Sequence, residues 1–194
     1  MRISKGFEDR ERPLVAAMYW QAFGPKLGRV LGPDDRARRY IAAALMPDHA
    51  LCARDGAGHI LGVAGFKSYH GALVHGGMGD LWQCYGTLGC LWRGLALTLL
   101  QSETDNRRFL VDGLFVAREA RGQGIGTRLL EALAGEAAAR GYTEIRLDVI
   151  AENARAQALY ARRGFHVVER NQRGMIPRLF GIEGAITMVR KLGD

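Results

Sequence analysis

The segment Arg121-Gly122-Gln123-Gly124-Ile125-Gly126-Thr127 limits what this chain can fold into more than any other. Before it lies an apolar stretch, residues 109–116, that reads as a buried strand. After it comes a periodic stretch that reads as a helix stopping at Gly141. Strand, glycine loop and helix together aim several backbone N–H groups at one point, with the positive end of the helix dipole behind them. A phosphate or diphosphate suits such a cradle, and glycines let the main chain come close to it. Two glycine patterns fail on spacing. The dinucleotide pattern G-x-G-x-x-G needs glycine at 127 or 129, where Thr127 and Leu129 stand. The P-loop needs a lysine, and the loop has none. Alone, the loop also fits an ordinary structural turn.

A second block, residues 147–165, reads LDVIAENARAQALYARRGF: a strand, Asn153, a short helix carrying Leu159-Tyr160, then Gly164-Phe165. The two blocks, in this order and at this separation, resemble the signature of the GNAT superfamily of N-acetyltransferases. That signature has a loop R/Q-x-x-G-x-G/A, matched by Arg121, Gly124 and Gly126, followed after one helix by the strand-Asn-helix-Tyr block. The resemblance is clear over residues 109–168 and looser at both ends. It implies an α+β, three-layer α/β/α fold: a mixed, mostly antiparallel seven-stranded sheet with helices on both faces. The fourth and fifth strands should splay apart to admit the pantetheine arm of an acyl-coenzyme A. Backbone groups of Leu114, Phe115 and Val116 are expected to pair with that arm. Amides of Arg121, Gly122, Gln123, Gly124, Ile125, Gly126 and Thr127 should hold its diphosphate.

The chain has 194 residues, 48% of them hydrophobic, which suits one soluble domain spanning 1–194 with a sizeable core. Net charge is +7, and a basic balance can signal nucleic acid. The arginines are dispersed, however, without a basic run interleaved with aromatics, so a solvated surface plus a pocket for a polyanionic cofactor is the expectation. Three cysteines, Cys52, Cys84 and Cys90, lack metal-ligand spacing and read as free thiols. His70 and His75 do not cluster with other ligands, so no metal is expected. The first thirteen residues have no apolar core of a secretory leader, and a cytoplasmic location follows as the expectation.

In chain order, the pattern predicts a strand over 1–7, a helix over 8–23, a loop over 24–33 and a helix over 34–46 ended by Pro47. Strands are expected over 50–54 and 59–69 around the turn residues Asp55-Gly56-Ala57-Gly58. Residues 71–108 exceed the family's short link between third and fourth strands. Inside them, 81–100 carry Leu81, Tyr85, Leu88, Trp92, Leu95 and Leu99 at helical spacing, with an opposite side that is also largely apolar. The length is borderline for a membrane span, but Gln83, Arg93 and the glycines weaken that reading, and no transmembrane segment is expected. A helix apolar all round is usually buried. Packing against the domain or a second copy in a homodimer, a wall of the acceptor site, and contact with a membrane surface all stay open. Gly113 inside 109–116 suggests a bulge. The alternation over 144–149 fits a strand with one core face, and 165–169 and 185–190 complete the sheet around a loop at 171–184.

Acyl transfer to an amine needs a route for the amine's proton, donors for the carbonyl oxygen, and a donor for the departing sulfur. By the resemblance, Tyr160 is the acid facing the sulfur; the alternative is a ring packed in the core. Asp112, an acid in an apolar strand, should have a raised pKa and is one candidate base. A carboxylate satisfied by backbone donors at the bulge is the competing reading. Asp148 stands where some relatives keep an acidic base but equally fits a surface charge, and a proton relay through water is a third route. Asn153 bonds either the strand-helix turn or the cofactor. Arg128 and Arg162 suit a 3′-phosphate or simply solvent, and Arg118 replaces a common proline. The expected activity is acetyl-CoA-dependent N-acylation of a primary amine on a small molecule or peptide, by direct ternary-complex transfer. The competing expectation is a non-catalytic acyl-CoA-binding module whose 81–100 helix carries a protein or membrane-surface partner.

Overall fold

The structure, a computed structural model, describes residues 1–68, 71–100, 108–171 and 184–193. One seven-stranded sheet runs in the order β1-β2-β3-β4-β5-β7-β6. Its strands are β1 (Arg2–Lys5), β2 (Ala50–Arg54), β3 (Ile60–Lys67), β4 (Phe109–Val116), β5 (Glu144–Ile150), β6 (His166–Asn171) and β7 (Ala185–Lys191). All neighbours pair antiparallel except β4 and β5, which are parallel. The helix α4 (Ile125–Ala139) makes the crossover that this parallel pair requires.

Each face of the sheet has its own apolar core. On one, α1 (Arg12–Leu31), α2 (Asp34–Ala44) and α3 (Met78–Leu100) enclose Val15, Ala37, Ile41, Val63 and Phe115. On the other, α4 lays Ile125, Leu129, Leu133 and Ala137, one residue per turn, onto Ala64, Phe109, Val111, Ile145 and Leu147. Close approach there depends on Gly62: a Cβ at that position would stand 3.2 Å from side-chain atoms of Ile125 and Leu129. The short helix α5 (Ala154–Arg162) adds Leu159 and Tyr160 to this second core.

Two expectations need correction. The loop read over 24–33 is mostly helix, because α1 continues through Pro25 to Leu31. Proline inside a helix costs about 3 kcal/mol. Burial of Val30 and Leu31 against α2 and α3, worth roughly 1.5–3 kcal/mol each, offsets it. Side chains of α3 also serve the end of α1: the Tyr85 hydroxyl donates to the Leu31 carbonyl, and Arg93 donates to the Gly32 carbonyl at 3.1 Å.

The second correction concerns α3. The stripe read as one face is broken at Gly86, whose φ of 69° and ψ of −179° lie outside the helical region. Thirteen residues of straight helix would hold the Met78 carbonyl and the Cys90 thiol about 18 Å apart. Instead Cys90 Sγ donates to the Met78 carbonyl at 3.3 Å. Leu81 and Tyr85 are buried before the break, but after it Cys90 and Ala96 are buried while Leu88, Trp92 and Leu95 face outward. The side chains of Leu99 and Leu100, residues 101–107 and the 172–183 part of the expected 171–184 loop lie outside the description, as do residues 69–70. Among the described residues, no helix is long and apolar enough to cross a membrane.

Candidate active site

The site grows from a misfit between β4 and its neighbours. Against β3, the pairs Gly65–Gly113 and Phe66–Val111 leave Asp112 as an extra residue, a β-bulge. Against β5, the pairing covers only Phe109–Ile145, Leu110–Arg146 and Val111–Leu147. From residue 112 to Val116, therefore, the β5 side of β4 has no strand partner among the described residues. The parallel strands diverge at the bulge, and the edge carrying Leu114, Phe115 and Val116 opens onto the gap.

The glycine loop closes one end of that gap. Gly122 and Gly124 adopt φ values of 83° and 75°, the left-handed region that glycine enters without strain. Gly124 is the N-cap of α4, with no side chain capping the helix. Arg128 N–H makes the first bond of the helix, to the Gly124 carbonyl at 3.1 Å. Among the described residues, no amide from Gly122 to Thr127 donates to a protein acceptor. These donors sit at a helix N-terminus, and a Cβ on Gly122 or Gly124 would meet no atom within 4 Å, so the loop is open around them. Unengaged amides at an open helix N-terminus suit a diphosphate. Arg121 folds back instead, its Nε donating to the Val116 carbonyl at 3.1 Å and tying the loop to the strand end. Gln123 makes only a long contact, Nε2 to the Glu119 carbonyl at 3.5 Å.

The other wall is α5. Asn153 is its N-cap, and the Asn153 carboxamide oxygen accepts from Ala156 N–H at 3.1 Å. Of the two roles read for this residue, the structure displays the turn-bonding one. At the far end, Gly164 takes a φ of 80° while Phe165 N–H reaches back to the Tyr160 carbonyl at 3.1 Å, a Schellman closure. Phe165 is thereby buried beside the Tyr160 ring, with centroids 6.0 Å apart. Leu159 lies against Gly126 and within reach of Leu114, so α5 sits over the start of α4 and the open edge of β4. Burial pushes the Tyr160 hydroxyl up to about 12, and among the described residues it makes no hydrogen bond.

On the opposite face the register carries the two acids to one place. Val111 pairs with Leu147, both in the α4 core, so Asp112 and Asp148 come next in their strands on the other side, where the strands part. Asp112 lies 3.6 Å from Lys67 Nζ and accepts from the amides of Val74 and Leu73. Burial nevertheless outweighs these partners, and its carboxyl is held above the usual range. Asp148 is engaged on both oxygens: Thr187 Oγ1 donates to Oδ1 at 2.7 Å, and Arg146 Nη2 lies 3.3 Å from Oδ2. Tyr19 stands over the bulge, 4.6 Å from Phe23 and edge-on to Phe115 at 5.8 Å. Burial, then the Asp112 charge, raises its hydroxyl pKa.

Lys67, Thr187, Tyr19 and Phe23 were not legible as site residues. Each reaches the bulge from an element distant in sequence, through sheet register or helix packing, and none carries a local motif. Arg128 reaches only the Met1 carbonyl, at 3.5 Å. Among the described residues, no three His, Cys, Asp or Glu side chains converge as metal ligands would.

Known proteins share this fold. A solved N-acetyltransferase from Staphylococcus aureus Mu50 superposes with a TM-score of 0.71 over 97% of this chain and 100% of that one, at 15% identity. Ribosomal-protein-alanine N-acetyltransferase from Brucella melitensis does so with a TM-score of 0.63 over 99% of this chain and 100% of that one, at 19% identity. At such identities the likeness establishes the fold. A stretch of 72 residues, 37% of the chain, is 39% identical to mycothiol acetyltransferase of Jonesia denitrificans but spans only 23% of that protein's length. The profile of the Acetyltransferase (GNAT) family matches residues 14–165. With the open β4 edge, the unengaged glycine-loop amides and that match in hand, the chain belongs to the GNAT acetyltransferase family.

Proposed function

We propose that the protein is an acetyl-CoA-dependent N-acyltransferase that acts, as one catalytic unit, on a primary amine of a small molecule or peptide by direct transfer in a ternary complex. The observation that carries this reading is the end of β4–β5 pairing at Val111–Leu147, with amide donors at one end of the gap and two acids at its apex. When bound, acetyl-CoA supplies an acyl group activated as a thioester. Residues 122–127 hold its diphosphate through main-chain N–H groups, and the free edge at Leu114, Phe115 and Val116 aligns its arm.

The acceptor reaches the apex from the Tyr19 face. An ammonium ion must lose a proton before its nitrogen attacks, and Asp112, with its raised pKa, takes that proton directly or through water. Lys67 and the amides of Leu73 and Val74 fix the carboxylate in place. Asp148, anchored by Thr187 and balanced by Arg146, places a second carboxylate at the apex that can accept a hydrogen bond from the acceptor's nitrogen. As the C–N bond forms and the C–S bond breaks, amides of the bulged strand around Phe115 and Val116 stabilise charge on the carbonyl oxygen. Tyr160, protonated at neutral pH, donates its proton to the departing sulfur and regains one as the nitrogen sheds its second proton through solvent, so the thiol leaves protonated.

Release of free thiol from acetyl-CoA against a panel of primary amines and peptide N-termini tests the reading. Tyr160→Phe is expected to lower kcat by ~10²-fold or more while leaving acetyl-CoA affinity within about 3-fold. The exposed apolar side chains of α3 favour the second reading, an acyl-CoA-binding module with a partner. Tight acetyl-CoA binding without thiol release on any amine, and without response to Tyr160→Phe, would select that module over the enzyme.

A further inference from the structure

After the break at Gly86, α3 turns Leu88, Leu91, Trp92 and Leu95 to one side, at spacings of three, four and seven residues. They are 85%, 70%, 43% and 65% exposed. Met78, 54% exposed, lies with its sulfur against Gly94 beside this stripe, and Trp82 is 58% exposed on the preceding turn. At ~150–200 Å² for a fully exposed side chain of this size, these six leave roughly 600–700 Å² of apolar surface open. A typical monomer exposes at most about 300–600 Å² in one patch. A standard interface buries about 800 Å² on each partner, so this surface supplies most of one side.

We propose that this face is the seam of a two-fold dimer, in which α3 packs against α3 of a second copy of the chain. Self-packing fits because a helix stripe at these spacings presents the same knobs and hollows to its own symmetry mate. The six side chains of the seam are uncharged, so no like charges meet among them across the axis. The helix has only two charged residues, Asp80 and Arg93. Asp80 accepts from Gly77 N–H at 2.8 Å at the start of the helix. Arg93 sits at the edge of the seam, its guanidinium 4.1 Å from the Tyr85 ring centroid and 4.3 Å from that of Trp92, and it donates to the Gly32 carbonyl at 3.1 Å. A helix that lies on a membrane keeps basic side chains along the flanks of its apolar face, where headgroups meet them. This one ties its single cation to two aromatic rings and a main-chain carbonyl of the chain, which favours a protein surface over an anionic bilayer.

Sedimentation velocity of the full chain at ~1–100 µM is the test, with dimerisation expected at micromolar concentrations or below. Leu88→Glu and Leu88→Lys, both at an exposed position, are each expected to weaken self-association by about 100-fold while leaving the thermal midpoint and circular dichroism of the monomer unchanged. Mixing the two variants should restore a dimer of one copy each, because the opposed charges meet across the axis. Three results overturn the proposal: wild-type protein at single-chain mass across the range, dimers that persist in both variants, or single-chain protein that sediments with phosphatidylglycerol vesicles in a Leu88-dependent way.

Discussion

Gly124→Ala separates the loop's fold from its function. The residue has φ 75° and ψ 5° at the N-cap of α4, and an alanine there costs about 1–2 kcal/mol of left-handed strain. Nothing lies within 4 Å of the added Cβ, so no packing clash adds to this cost. In a chain of 194 residues the thermal midpoint should fall by roughly 2–8 °C. Binding should suffer more. The Cβ adds bulk beside the amides from Gly122 to Thr127, and relief of the strain rotates the loop peptides away from the diphosphate. Loss of one or two hydrogen bonds to a charged group, at about 1.5–3 kcal/mol each, weakens acetyl-CoA by ~10-fold or more. Titration calorimetry with acetyl-CoA, alongside a thermal melt, measures both. Gly126→Ala is the control. Its Cβ would lie 3.4 Å from Leu159, ordinary contact, and helix propensity should raise stability by up to about 1 kcal/mol with little change in affinity. A Gly124→Ala protein that loses the expected stability yet binds acetyl-CoA within about 3-fold of wild type would refute the diphosphate cradle.

Asp112 should govern the acidic limb of the kcat/KM profile. Its folded pKa is raised, so activity climbs with pH through that value; Asp112→Asn should abolish the limb, and Lys67→Met, by removing the neighbouring ammonium, should move it to higher pH. A raised carboxyl pKa also means that the folded state binds more protons, so this group lowers stability as pH rises through its folded pKa, and Asp112→Asn should flatten that decline in pH-dependent melts. Glu11 behaves oppositely. Its hydrogen bond with Arg54 holds the carboxyl at about 2 against an ordinary 4.5. It therefore contributes stability above pH 4.5 that is lost as pH falls towards 2; with solvent screening this amounts to about 1 kcal/mol, and Glu11→Gln should lower the neutral-pH thermal midpoint by roughly 2–4 °C.

What sequence could convey follows the range of the forces involved. Gly124 and Gly164 announce themselves because a left-handed residue is required locally, and both sit where the loop and the α5 closure need one. The four-residue repeat from Ile125 to Ala137 is equally local, and all four residues are buried. Gly86 misled for a matching reason. Among several helix glycines nothing marks the one that leaves helical geometry, yet that single residue rephases everything after it. Pro25 misled through a local penalty that distant burial of Val30 and Leu31 overcomes. At the site, Asp112 and Asp148 were visible as isolated acids. Their meeting at one apex, and the Lys67 and Thr187 contacts that distinguish them, depend on register between strands far apart in the chain.

Among the described residues, three residue pairs of parallel ladder, Phe109–Ile145 to Val111–Leu147, are all the strand pairing that joins the first four strands to the last three. A thioester arm lying in the cleft beyond them would stitch the halves together along a missing row. Occupancy and rigidity are then one variable: amide exchange should slow in β4 and β5 together on loading, and the melting point should climb with the logarithm of donor concentration.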